Sequence, residues 1–242
     1  MTSVDAAKKL HAAIRRLRAG DGSRAAAGTP PCPFAGADPL VHLFVESFLL
    51  WEATTPLARE ALSRLCATVV DYNELRVCFT DELVAALGGK YPRGDERCAR
   101  LRCALNDLFR REHAVTLAPL LAPSVKDARG YLGSLDGTPA YVAARVALLG
   151  LGQHAVPVDS RLVTLLSGSG CCEPTDPCEP VAAWLEKQFK PGEAPEAHAL
   201  LQAWSDREGD GTPRKRRENP DGETKSKPAR SAKPRGKARA KD

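Results

Sequence analysis

Aromatic side chains are scarce in this chain, with three Trp, four Tyr and six Phe among 242 residues. Ala and Leu fill the apolar positions instead, a composition suited to helices packing on helices. Alternation of apolar and polar residues never persists long enough for a strand, beyond short links such as Ala155-Val156-Pro157-Val158. An uninterrupted apolar run of about 18 residues, the minimum for a membrane-spanning helix, is also missing. The first residues carry charge within an amphipathic helix rather than an apolar signal core, so we expect no secretory leader and a cytoplasmic protein. The five histidines (His11, His42, His113, His154 and His198) are scattered without ligand spacing. Neither a Gly-rich nucleotide loop nor a nucleophile elbow is present.

Cysteine is not lacking, but its spacing is uninformative. Cys171, Cys172 and Cys178 fall in the loop GSGCCEPTDPCEP, and no paired C-x₂-C accompanies them. These three thiols could join a metal site only with a fourth ligand from elsewhere. Cys66, Cys98 and Cys103 fall on apolar or mixed helix faces, and reduced core cysteines are the favoured reading.

The net charge of +5 is unevenly placed. Residues 214–242 hold 12 Lys/Arg and 4 Asp/Glu, leaving 23 basic and 26 acidic residues, a net of −3, in residues 1–213. Beyond Gly209 large apolar side chains almost vanish, so 209–242 is expected to be a disordered basic tail. Arg214, Lys215, Arg216 and Arg217 open it, and such a segment binds DNA, or RNA as an alternative polyanion, in a salt-dependent way.

Before that tail, helix signals follow one another over short connectors. A first helix covers about residues 4–18, followed by a Gly/Ala/Pro-rich loop. Asp38-Pro39 and Thr55-Pro56 read as caps of the next two helices. Asp71 and Thr80 open short ones, and residues 95–112 form a longer amphipathic one. Residues 124–133 lead into the turn Ser134-Leu135-Asp136-Gly137-Thr138. Thr138 is expected as N-cap and Pro139 at the first helical position. After a second apolar helix, Asp159 caps residues 160–166, and two further helices over 179–189 and 195–206 complete an all-α chain. A tight hairpin between helices presents main-chain N–H groups to a phosphate. A carboxylate at the start of the following helix stands ready to act nearby.

The stretch Leu135-Asp136-Gly137-Thr138-Pro139-Ala140-Tyr141-Val142-Ala143, with Val158-Asp159-Ser160 downstream, resembles the signature of the helix-hairpin-helix DNA glycosylase superfamily, the endonuclease III and adenine-glycosylase group. That signature runs L-P-G-V-G-x-[KY]-T-A, then an apolar helix, then V-D-[TGS]. The 18-residue offset from Tyr141 to Asp159 equals the family's spacing from its Lys/Tyr position to its catalytic Asp. Leu49-Leu50-Trp51-Glu52-Ala53-Thr54 is similar to the helix end that carries the family's DNA-inserting Gln, and weak similarity covers roughly residues 5–205.

The resemblance implies a two-lobed fold: residues 38–152 as a helical barrel ending in the hairpin, and 1–20 with 153–208 as the second lobe. It also implies a base-excision DNA repair protein, a monomer acting on double-stranded DNA and not on membranes. Asp159 would be the catalytic carboxylate and Tyr141 a second residue of the catalytic site, lining the pocket or touching the nucleotide, with Leu135, Gly137 and Thr138 the phosphate-binding hairpin, and Trp51 and Glu52 the contacts to the DNA stack. Tyr141 stands where bifunctional lyases carry Lys, so the expected enzyme is a monofunctional N-glycosylase that hydrolyses the bond to a flipped-out base. Many relatives hold a [4Fe–4S] cluster through C-x₆-C-x₂-C-x₅-C near the last helix. This chain has no Cys after Trp204 and is expected to carry no cluster and no other cofactor. Other departures point to the alternative, a non-catalytic DNA- or RNA-binding relative. Glu52 replaces the inserted Gln, Pro139 the second hairpin Gly, and Phe48 an acid of the adenine glycosylases.

Overall fold

The computed structural model describes residues 3–19, 30–122 and 127–208. The basic tail, with Arg214 to Arg217, lies outside them. The described residues form α1 (Ser3–Ala19), α2 (Pro39–Leu50), α3 (Thr55–Thr68), α4 (Tyr72–Val77), α5 (Thr80–Leu87), α6 (Gly94–Glu112), α7 (Ala128–Ser134), α8 (Ala140–Leu151), α9 (Ser160–Gly168), α10 (Cys178–Glu186) and α11 (Ala194–Glu208). Short 3₁₀ turns at Ala118–Leu121 and Pro191–Glu193 are the only other regular structure among them, and no strand occurs.

Aspartate does most of the capping. Asp38, Asp71, Asp127 and Asp159 accept main-chain N–H groups of Leu40, Glu74, Gly130 and Leu162 at 2.7–2.9 Å. Each such cap is worth about 1 kcal/mol. Two expected caps are replaced. Thr54, not Thr55, precedes α3 and makes no side-chain cap; the N–H of Thr55 instead donates to Asp206 of α11 at 3.0 Å. Thr138 does not cap α8, which starts at Ala140 after an extended Pro139. The Thr138 N–H turns back to the Leu135 carbonyl at 3.1 Å, closing the turn early, and its Oγ1 has no hydrogen-bond partner.

Two apolar cores result. The first is built around α2, where Val41, Phe44, Val45, Phe48 and Leu49 are fully buried and meet side chains of α3, α5, α6, α7 and α8. The second joins Leu10 and Ile14 of α1 to Val156, Leu162, Leu166, Leu185, Leu201 and Trp204. Helix α8 is apolar on nearly every face, Arg145 excepted, as suits a helix buried over most of its length. Its residues 141–148 are buried, and Ala144, Ala147 and Leu148 pack with Ala155 and Ala194. Gly150 lets α2 approach closely, because a Cβ there would stand 2.5 Å from a Leu40 methyl. A polar seam threads the interior. Glu46 of α2 pairs with Arg145 of α8 at 2.9 Å, Arg145 also donates to Ser47 Oγ at 2.8 Å, and His198 of α11 is buried nearby. Burial, aided by the Arg145 charge, pulls the His198 imidazole down to about 3.

Candidate active site at the start of α9

The hairpin between α7 and α8 is strapped to the end of α6. The Asp136 N–H donates to Asp107 Oδ2 at 3.0 Å, and the Asp136 carboxylate pairs with Arg110 at 2.9 Å. Arg111 reaches the Ser134 hydroxyl and carbonyl at 2.7 and 2.8 Å. Asp107 is the hub: its carboxyl lies below the usual range, held down by the Asp136 N–H and by Arg111 and Arg110 against the opposing effect of burial. Gly137 adopts φ +80° with α6 close behind it, where a Cβ would stand 3.0 Å from the Arg100 carbonyl oxygen. Leu135 is buried in the first core, so only its main chain faces the turn. Of the two expected donors, Thr138 spends its N–H on Leu135, whereas Gly137 is exposed and donates to no group among the described residues.

The extended link after α8 delivers Asp159 to the N-terminus of α9, where it meets the α2–α3 turn. Its Oδ1 accepts the Leu162 N–H at 2.9 Å and its Oδ2 accepts the Glu52 N–H at 3.2 Å. The side chain of Glu52 returns the contact, accepting the Ser160 N–H at 2.9 Å and the Ser160 hydroxyl at 2.6 Å. Glu52 holds φ +56°, a left-handed conformation uncommon outside glycine. Arg161 locks the same junction by donating to the Ala53 carbonyl, and to the Ser205 carbonyl at 3.0 Å. Asp159 is only 4% exposed. Burial, and next the Glu52 charge, push its carboxyl up to about 6 against the pull of the two N–H donors and Arg161. A carboxyl so tuned exchanges its proton near neutral pH, which suits general acid–base work.

The remaining expected site residues turn inward. Tyr141 is buried and donates to Gln202 Oε1 at 3.0 Å, and Gln202 donates in turn to Asp206 at 2.9 Å. Burial raises the Tyr141 phenol well above its ordinary value, so it stays neutral. Trp51 is 8% exposed beneath the guanidinium groups of Arg93, Arg100 and Arg97, at 4.9, 5.4 and 5.6 Å from its ring. Its ring is thus covered by cations rather than offered to a base. Arg97, fully buried, donates to the Phe48 carbonyl and, at 2.9 Å, to that of Leu49, finishing α2 just before the turn. Sequence reasoning missed Ser160, Arg161, Gln202 and Asp206 as parts of this junction. Only Ser160 had a visible signal, as the residue after Asp159.

The cysteines do not supply a four-thiolate set. Cys171 and Cys172 lie on the α9–α10 connection and Cys178 opens α10; burial raises all three thiols, the last two to about 11. No three His, Cys, Asp or Glu side chains among the described residues gather as metal ligands. The donors present therefore do not fit the iron–sulfur cluster of the resembled family.

No protein-family model matches the chain, and no curated protein matches it in sequence. Solved structures do match it. A trapped endonuclease III–DNA covalent intermediate superposes with a TM-score of 0.60 at 16% identity, covering 84% of this chain and 86% of that one. A non-covalent endonuclease III–DNA complex gives 0.59 at 16% identity with the same coverage. A thermostable thymine-DNA glycosylase gives 0.54 at 14% identity, covering 82% of this chain and 86% of that one. The hairpin, the apolar helix and the aspartate that follows thus occur within a likeness that spans more than four-fifths of the chain: this protein has the all-α fold seen in the endonuclease III and thymine-DNA glycosylase structures.

Proposed function

We propose that this protein binds duplex DNA in base excision repair and is a monofunctional DNA N-glycosylase that works without an iron–sulfur cluster. The observation that carries the reading is Asp159: a buried carboxyl, raised to about 6, at the helix start that follows the hairpin helix. In the proposed reaction the target base leaves the stack, since its C1′ cannot be reached within the duplex. As the C1′–N bond breaks, its electron pair departs with the base, which takes up a proton. Ionised Asp159 stabilises the positive sugar and accepts a proton from the water whose oxygen bonds to C1′. Tyr141 offers no amine, so no Schiff base forms at its position. Gly137 and the first turn of α8 would receive a phosphate of the bound strand, and residues 214–242 would add sequence-independent affinity.

The test is incubation of the wild type and Asp159→Asn with duplexes carrying a panel of damaged and mismatched bases. Base release by the wild type, its loss in Asp159→Asn and no borohydride-trapped adduct are expected; release undiminished in Asp159→Asn would refute the assignment. One observation favours a second reading, a non-catalytic DNA-binding relative: Asp159 is 4% exposed, with Glu52 bound across its helix end. That reading predicts duplex binding with no release of any base. Deleting 214–242 should weaken binding and flatten its salt dependence on either reading.

A further inference from the structure

Glu52 and Asp159 are joined through both main chain and side chain. The Glu52 N–H donates to Asp159 Oδ2 at 3.2 Å, while the Glu52 carboxylate accepts from the N–H and hydroxyl of the very next residue, Ser160, at 2.9 and 2.6 Å. The left-handed backbone at Glu52, φ +56°, is retained where one residue must present both its N–H and its side chain to a single helix end. Glu52 is half-buried and Ser160 exposed, whereas Asp159 lies beneath them. We propose that Glu52 is a positioning residue for Asp159: it aims the buried carboxyl with its main chain, sets that carboxyl's charge with its own, and closes the approach to it by clasping Ser160.

This inference rests on the glycosylase reading for its role in turnover, but its physical content is measurable in the free protein. The groups acting on Asp159 come from several elements. Glu52 stands on the α2–α3 turn and Arg161 on α9, while Tyr141 on α8 and Cys178 on α10 each feel the Asp159 charge. Arg145 on α8, Asp206 on α11 and Glu46 on α2 act on Tyr141 beside it. Tyr141 and Cys178 are neutral at pH 7, because burial raises both. Arg161 opposes proton uptake by Asp159, and Glu52 is the foremost neighbouring charge that favours it. A nearby like charge commonly raises a carboxyl by about a unit or more. The anion at position 52, which DNA phosphates would repel at a stacking position, has a defined use in this geometry: it belongs to the carboxyl pair.

The experiment follows the Asp159 carboxyl by NMR titration of ¹³C-labelled full-length protein, with Glu52→Gln as the first variant. Glutamine keeps the main-chain N–H and an acceptor for Ser160 but removes the charge. The Asp159 midpoint should fall by about one unit, a tenfold loss of proton affinity; Glu52→Asp, which restores the charge, should bring it back. A midpoint in Glu52→Gln within about 0.2 unit of the wild type overturns the proposal. Should Glu52→Gln fail to fold, Ser160→Ala removes one donor from the clasp and leaves both acids. Amide hydrogen exchange at Glu52 should then accelerate about fivefold, and unchanged exchange overturns the closing role. Where a lesion substrate is found, the acid limb of the turnover profile should move down with the midpoint. A shifted midpoint in a protein that releases no base sustains the pairing of Glu52 with Asp159 and refutes the glycosylase reading alone.

Discussion

Replacing Asp159 by Asn removes a titrating group while keeping most of the shape of the α9 cap. In the native protein the Asp159 carboxyl holds its proton up to about pH 6, against 3.8 for the free group. The native state therefore binds more protons than the unfolded chain between those values, and stability falls as pH rises through that window. A window about two pH units wide corresponds to about 3 kcal/mol, fully present below the lower value and lost above the upper one. Asparagine has no such proton. The stability of Asp159→Asn minus that of the wild type should therefore rise by about 2.5 kcal/mol from pH 4 to pH 7.5. The starting offset is negative: one amide oxygen can accept from only one of the Glu52 and Leu162 N–H groups, at a cost of about 1–2 kcal/mol. The variant should thus be the less stable protein at pH 4 and equal or better at pH 7.5. Urea denaturation followed by circular dichroism at a series of pH values measures the difference directly. A difference constant across the range would refute the buried, Glu52-coupled carboxyl on which the site depends.

Other expected outcomes are as specific. His198 runs the opposite way: its native value of about 3 lies below the ordinary 6.5, so its contribution is present above 6.5 and lost as pH falls. Between pH 7.5 and 4.5, His198→Gln should gain about 3 kcal/mol relative to the wild type in the same denaturation series. Glu46→Gln strands the Arg145 charge in the core and should cost about 3–5 kcal/mol by chemical denaturation, whereas Glu46→Leu with Arg145→Met together should recover most of that loss. Gly137→Ala forces a Cβ toward the Arg100 carbonyl at positive φ; a loss of about 1–3 kcal/mol is expected, along with weaker duplex binding in a gel-shift titration.

Arg93 and Arg100 show how the start of α6 is fixed beside the α2–α3 turn. Arg93 and Arg100 both pair with Glu96, at 2.8 and 2.9 Å, while lying over Trp51. Trp51 thus helps hold the start of α6 beside the turn that carries Glu52. In that arrangement the α2–α3 turn is a rigid support for α9, braced by Arg97 on one side and Arg161 on the other.

Local chemistry was legible in the chain before any tertiary contact was considered. Asp38-Pro39, Asp71 and Asp159 announced their helices because a cap acts over three residues and depends on little else. The apolar run of residues 140–151 announced a central helix, and the absence of alternation excluded a sheet. The turn at Gly137 followed from the same local rules. Partners distant in sequence were not legible. Asp206 capping α3 across 151 residues, Glu52 clasping Ser160 across 108, and Arg145 neutralising Glu46 arise only when helices far apart in the chain are packed together. Thr138, Trp51 and Tyr141 were legible as residue types suited to a site, but packing decided where they point: toward an earlier turn, a layer of arginines and Gln202. Short-range hydrogen bonding is written in neighbouring letters, whereas burial, and the shifted acidity of Asp159 that burial produces, belongs to the assembled whole.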